Sequence, residues 1–141
     1  MFCTLIRSGY SSVLTRGRKD PEWLMTLNGA EGTVYAGEKF KLRFRFPLNY
    51  PLESPEVVFH CEDGFVPPAH PHIYSNGHIC LSILYDMWSP ALTVHSVCLS
   101  ILSMMSSCKK KQKPDDDKLY VHNVGFRSPK LSKWLFDDDK V

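Results

Sequence analysis

The chain has 141 residues, enough for one domain with a core of its own. Its 43% hydrophobic and 23% charged residues suit a globular protein, and no apolar run approaches the roughly 20 residues that span a bilayer. A net charge of +2 gives no general attraction to nucleic acid or to a membrane surface, so neither is expected as a partner.

Residues 1–20 differ from the rest. They carry Arg7, Arg16, Arg18 and Lys19 with no acid before Asp20, and they are read as a divergent basic leader. A disordered leader, an organelle transit peptide and the scar of a truncation all fit that composition. Residues 21–141 form the folded domain. Trp23, Met25 and Leu27 alternate onto one face of a first strand, and Asn28, Gly29 and Gly32 supply a turn. Thr33-Val34-Tyr35 reads as a short second strand. The strongest alternation covers residues 39–46, where Phe40, Leu42, Phe44 and Phe46 face one way and Lys39, Lys41, Arg43 and Arg45 the other. That basic face reads as solvated. Pro47, Pro51 and Pro55 hold an extended loop before a fourth strand at Val57-Val58-Phe59.

Residues 61–85 are rich in proline, glycine and polar groups, and an irregular stretch of that length is usually functional. Then the period changes. Val94, Val97, Cys98, Ile101, Leu102 and Met105 form a helical apolar stripe behind Thr93, a good N-cap. The run of Lys109, Lys110, Lys111 and Lys113 into Asp115, Asp116 and Asp117 reads as a solvated loop, and Asp137 to Asp139 as a frayed tail. Ser128-Pro129 starts a last helix through Trp134 and Phe136. The class is α+β, a four-stranded antiparallel meander followed by a loop and helices.

The five cysteines, Cys3, Cys61, Cys80, Cys98 and Cys108, are odd in number and lack a framework spacing. With no secretory signal, free thiols in a reducing compartment are expected, and a cytoplasmic and/or nuclear location with them. Cys98 belongs to the apolar stripe. Cys80 is different, because Ser75-Asn76-Gly77-His78 precede it and argue against full burial. Three roles compete: a small buried hydrophobe, a zinc ligand with His70, His72 and His78, or a nucleophile. The zinc set has the right donors at the wrong spacing, with Pro71 stiffening the link between His70 and His72. A hydrolase would need a base aligned by a distant partner, so acyl transfer by the thiolate fits better.

The segment His70-Pro71-His72 through Cys80, with Trp88-Ser89-Pro90-Ala91 after it, resembles the active-site block of ubiquitin-conjugating enzymes. Tyr50-Pro51 and Pro55 resemble the family's upstream proline loop, and the likeness extends over residues 21–136. The resemblance implies that Cys80 accepts ubiquitin as a thioester from an activating enzyme and passes it to an amine. RING-type ligases and protein substrates are the further partners, with no cofactor and no metal. Leu52, Ser89, Pro90 and Ala91 match the ligase-contacting surface. His72 replaces the family's oxyanion asparagine, and with Asn76 it would shape the loop and oxyanion environment. Asp116 or Asp117 matches the acidic gate residue.

With His72, two further departures bear on the acceptor. Lysine-modifying members keep an aspartate after the cysteine and a tyrosine before the His-Pro pair, where this chain has Ser82 and Ala69. A lysine amine is only about 0.1% neutral near pH 7.4, whereas an α-amine is already roughly 20–30% neutral. An enzyme acting on protein N-termini needs less of a lysine-activating pocket, and the surrounding sequence resembles the family's N-terminus-directed branch. A separate departure lies at the start: the family's first helix, which helps bind the activating enzyme and the ligase, is missing or degenerate in residues 1–20. Alternatives are lysine-directed conjugation, or a folded scaffold that is never charged.

Overall fold

The computed structural model describes residues 7–10 and 21–136. Four strands, β1 (Arg7–Tyr10), β2 (Glu22–Asn28), β3 (Lys39–Arg45) and β4 (Glu56–Phe59), form one antiparallel sheet in the order β1-β2-β3-β4. β2 and β3 pair continuously from Glu22 opposite Arg45 to Asn28 opposite Lys39. Their alternation puts Met25, Leu27, Phe40, Leu42 and Phe44 into the core with Val57 and Phe59 of β4. On the outer face, Arg45 pairs with Glu22 at 2.8 Å and with Glu56 at 3.6 Å. The face expected to be basic is thus neutralised at that end by cross-strand acids.

The described residues hold four strands, of which one differs from the expected set. Thr33-Val34-Tyr35 lies in a run of turns in which the Thr33 hydroxyl bonds the Ala30 carbonyl at 2.7 Å and Ala36 N–H bonds Thr33 O at 3.2 Å. Three alternating residues are too few to hold a ladder against turn chemistry. Tyr35 is buried nonetheless, and its hydroxyl donates to the Ala69 carbonyl beneath the functional loop. The remaining strand is β1, in which Arg7 lies opposite Met25 and Tyr10 opposite Trp23. Readings of the leader otherwise concern residues 1–6 and 11–20, outside the described residues, as do Cys3 and the Asp137 to Asp139 tail.

α1 (Val94–Ser107) follows its predicted stripe, burying Val97, Cys98, Ile101, Leu102, Met104 and Met105. Thr93 and Ser96 form a reciprocal capping box: Ser96 N–H bonds the Thr93 hydroxyl at 3.1 Å, and Thr93 N–H bonds Ser96 Oγ at 2.7 Å. α2 (Asp117–Val124) occupies residues expected to be loop and beyond, and only Asp117 in it is buried. Its short length and weak apolar face hid it. The helix expected after Ser128 is a single 3-10 turn, Pro129–Leu131, after which the chain runs irregularly past Trp134. Among the described residues no helix is long and apolar enough to cross a membrane.

Candidate active site

Residues 70–80 are held by their own backbone and by three elements around them. His72 N–H donates to His70 Nδ1 at 2.9 Å, so His70 carries its proton on Nε2, which donates to the Met104 carbonyl of α1 at 3.2 Å. Burial drives the His70 pKa down to about 4, keeping the ring neutral in this role. Cys80 N–H then bonds the His72 carbonyl at 2.8 Å, fixing the cysteine against the start of its loop.

The turn between them is tight. Gly77 has φ +89°, and a Cβ there would lie 2.2 Å from the Phe59 carbonyl of β4, so only glycine fits. Phe59 N–H donates to Gly77 O at 2.8 Å, which ties the turn to the sheet edge. Asn76 is buried, with its amide donating to Gly125 O at 2.6 Å and accepting from His78 N–H at 3.2 Å. Its side chain therefore braces the turn, and it lines a second cavity with Arg43, Glu56 and Arg127 instead of the one beside Cys80. His78 Nδ1 accepts from the Tyr120 hydroxyl at 2.8 Å, and a further hydrogen bond joins the ring to the Arg127 backbone. Tyr120 in turn meets Ser132 Oγ at 2.8 Å. Burial lowers the His78 pKa to about 4. The imidazoles of His70 and His78 are thus spent on structure and do not converge on Cys80 as zinc ligands would.

Cys80 is half-buried and opens on a cavity of about 360 Å³ bordered by His72, Tyr74, Lys113, Asp115, Asp116 and Leu135. Its thiol donates to the Leu135 carbonyl at 3.7 Å. The two candidate gate residues separate here. Asp116 borders the cavity and is exposed, whereas Asp117 is buried and accepts from Ser75 N–H at 2.7 Å. Tyr74 and Leu135 were not singled out from sequence, and Lys113 and Asp115 were read only as part of a solvated loop, since nothing in their spacing links them to Cys80. Ser82, where an aspartate was absent, opens a 3-10 turn (Ser82–Leu84) whose carbonyl accepts from Tyr85 N–H at 3.0 Å.

Leu52 lies just past the cis Tyr50–Pro51 bond and is 78% exposed; Ser89, Pro90 and Ala91 are exposed in the loop before α1. Trp88 Nε1 donates to Pro51 O at 2.8 Å, so the two loops form one surface. Leu48 and Met87, 94% and 65% exposed, add to the apolar side chains on these loops.

The model of the ubiquitin-conjugating enzyme family matches residues 4–125. The chain belongs to the ubiquitin-conjugating enzyme family. It is 58% identical over 128 residues to a probable ubiquitin-conjugating enzyme E2 W of Dictyostelium discoideum, covering 91% of this chain and 83% of that one. It is likewise 58% identical to the ubiquitin-conjugating enzyme E2 W of Caenorhabditis elegans, over 85% of this chain and 76% of the relative. A crystal structure of a ubiquitin conjugating enzyme E2 from Agrocybe aegerita superposes with TM-score 0.74 at 47% identity, covering 77% of this chain and 76% of the other. The ubiquitin-conjugating enzyme is thus an α+β transferase of the ubiquitination pathway. Enzymes of this family work with ubiquitin, an activating enzyme, ligases and protein substrates.

Proposed function

We propose that this ubiquitin-conjugating enzyme carries ubiquitin as a thioester on Cys80 and transfers it to the α-amino group of protein N-termini. The observation that carries this reading is the cavity beside Cys80. A half-buried thiol opens onto it, with His72 and Asp116 on its walls. In the first step the Cys80 thiolate attacks the ubiquitin C-terminal carbonyl on the activating enzyme and expels that enzyme's thiolate. In the second, an amine attacks the Cys80 thioester, and the tetrahedral oxyanion collapses with loss of the Cys80 thiolate and formation of an amide. His72 is the oxyanion donor of this scheme, and Asp116 the group that faces the entering amine. Leu52, Ser89, Pro90 and Ala91 are the surface for a RING-type ligase.

The preference for α-amines is supported by Ser82 and Ala69, which leave out two side chains of the lysine-activating type. An α-amine, with a pKa of roughly 7.7–8.0, has less need of them. The test is to load Cys80 with ubiquitin and offer matched lysine-containing peptides with free or acetylated α-amines. Discharge confined to the free N-terminus is expected, and equal discharge by both would overturn the α-amine preference. Cys80→Ser should replace an adduct lost under reducing agent with a stable ester. A chain that forms no adduct with ubiquitin would instead be a non-catalytic scaffold.

A further inference from the structure

The two acidic residues at the start of α2 meet the catalytic loop differently, and Tyr74 is part of the reason. Asp117 is buried against the Ser75 backbone, while exposed Asp116 accepts a hydrogen bond from the Tyr74 hydroxyl through Oδ1 at 3.0 Å. Tyr74 and Asp116 border the same cavity as Cys80 and His72.

Tyr74 has little freedom of its own. Its N–H donates to His78 O and its carbonyl accepts from Gly77 N–H, both at 2.9 Å. Its ring lies on Tyr120 with centroids 3.9 Å apart and near Trp134 at 6.0 Å. Backbone and ring are therefore fixed, which gives the hydroxyl one direction. An exposed carboxylate otherwise samples several rotamers. A donor held in place selects the one in which the carboxylate borders the cavity.

We propose that Tyr74 is a positioning residue for ubiquitin transfer, its hydroxyl holding the Asp116 carboxylate at the cavity through which an amine reaches the Cys80 thioester. This rests on the reading that Cys80 carries ubiquitin and that Asp116 faces the amine. An amine that attacks the thioester becomes cationic at nitrogen, then gives its proton to water as the C–S bond breaks and the Cys80 thiolate leaves. A carboxylate already in place stabilises that charge without reorganising. Burial, and then the hydrogen bond to Asp116, push the Tyr74 phenol upward in pKa, so it remains a donor throughout the working range.

The experiment is single-turnover discharge of the full chain, loaded with ubiquitin on Cys80, to a peptide with a free α-amine at varied concentration. Tyr74→Phe keeps the ring and removes the hydroxyl. Discharge at saturating peptide should slow about tenfold, with the half-saturating concentration shifted by less than about twofold. Asp116→Asn should also slow discharge, and adding Tyr74→Phe to it should cost nothing further, because the hydroxyl acts through that carboxylate. Tyr74→Phe at the parental rate beside an impaired Asp116→Asn would overturn this inference alone. An additive double variant would do the same, as would an equal loss of charging and discharge, which marks a purely structural role. Asp116→Asn at the parental rate would overturn both the inference and the role of Asp116 on which it rests.

Discussion

The Asp117 carboxylate accepts a 2.7 Å hydrogen bond from the Ser75 backbone N–H, joining the first turn of α2 to the loop that ends at Cys80. Removing that buried acceptor leaves an N–H with no partner in its place. Asp117→Ala should lower the unfolding free energy by about 1–3 kcal/mol, read from urea denaturation, and slow the charging of Cys80. Asp116→Ala, at an exposed position, should change the denaturation midpoint much less while slowing discharge.

Gly77 and Gly32 both have positive φ, at +89° and +75°, but only Gly77 is crowded, with the Phe59 carbonyl 2.2 Å from where a methyl group would stand. Gly32→Ala meets nothing within 4 Å and carries only its backbone strain, about 1 kcal/mol. Gly77→Ala must push the loop off β4, and a loss of several kcal/mol with loss of ubiquitin charging is expected. Equal stability of the two variants would contradict the close approach.

Mild acid should weaken the fold. His70 and His78 are held neutral by burial, with pKa about 4 in the folded chain against 6.5 in the unfolded one. Between those values the unfolded chain binds more protons, so stability is complete above pH 6.5 and declines as the pH falls toward 4. Each ring contributes up to about 3 kcal/mol across that window. Denaturant midpoints at pH 7 and pH 4.5 check this, and a flat profile would refute it.

Trp88→Phe keeps an aromatic ring but removes the 2.8 Å bond to the Pro51 carbonyl. Ligase-stimulated discharge should fall severalfold, while discharge without ligase should hold close to the parental rate. A purified assay with and without a RING-type ligase separates the two.

β3 was legible because its three apolar residues alternate without a break, and α1 because its stripe and its Thr93 cap agree. The Cys80 loop was legible as irregular from its proline, glycine and polar residues, but the burial of Asn76 and His78 within it was not. α2 was not, because charged side chains cover it and only Asp117 is buried. Nor did the sequence separate Asp116 from Asp117, whose difference is one of burial against residues about forty positions earlier. Tyr74 was hidden for the same reason: its hydroxyl matters through a contact that no local pattern encodes.

The hydrogen bonds that reach residues 70–80 from outside that segment come largely from later in the chain: Met104, Asp117, Tyr120, Gly125 and, through Tyr120, Ser132. During synthesis the Cys80 thiol therefore leaves the ribosome before the groups that define its surroundings exist. The sheet from β2 to β4 can form early, because its pairings join neighbouring strands. The catalytic centre closes last, once α2 and the segment after it have docked, and an unfinished chain has no competent centre to charge.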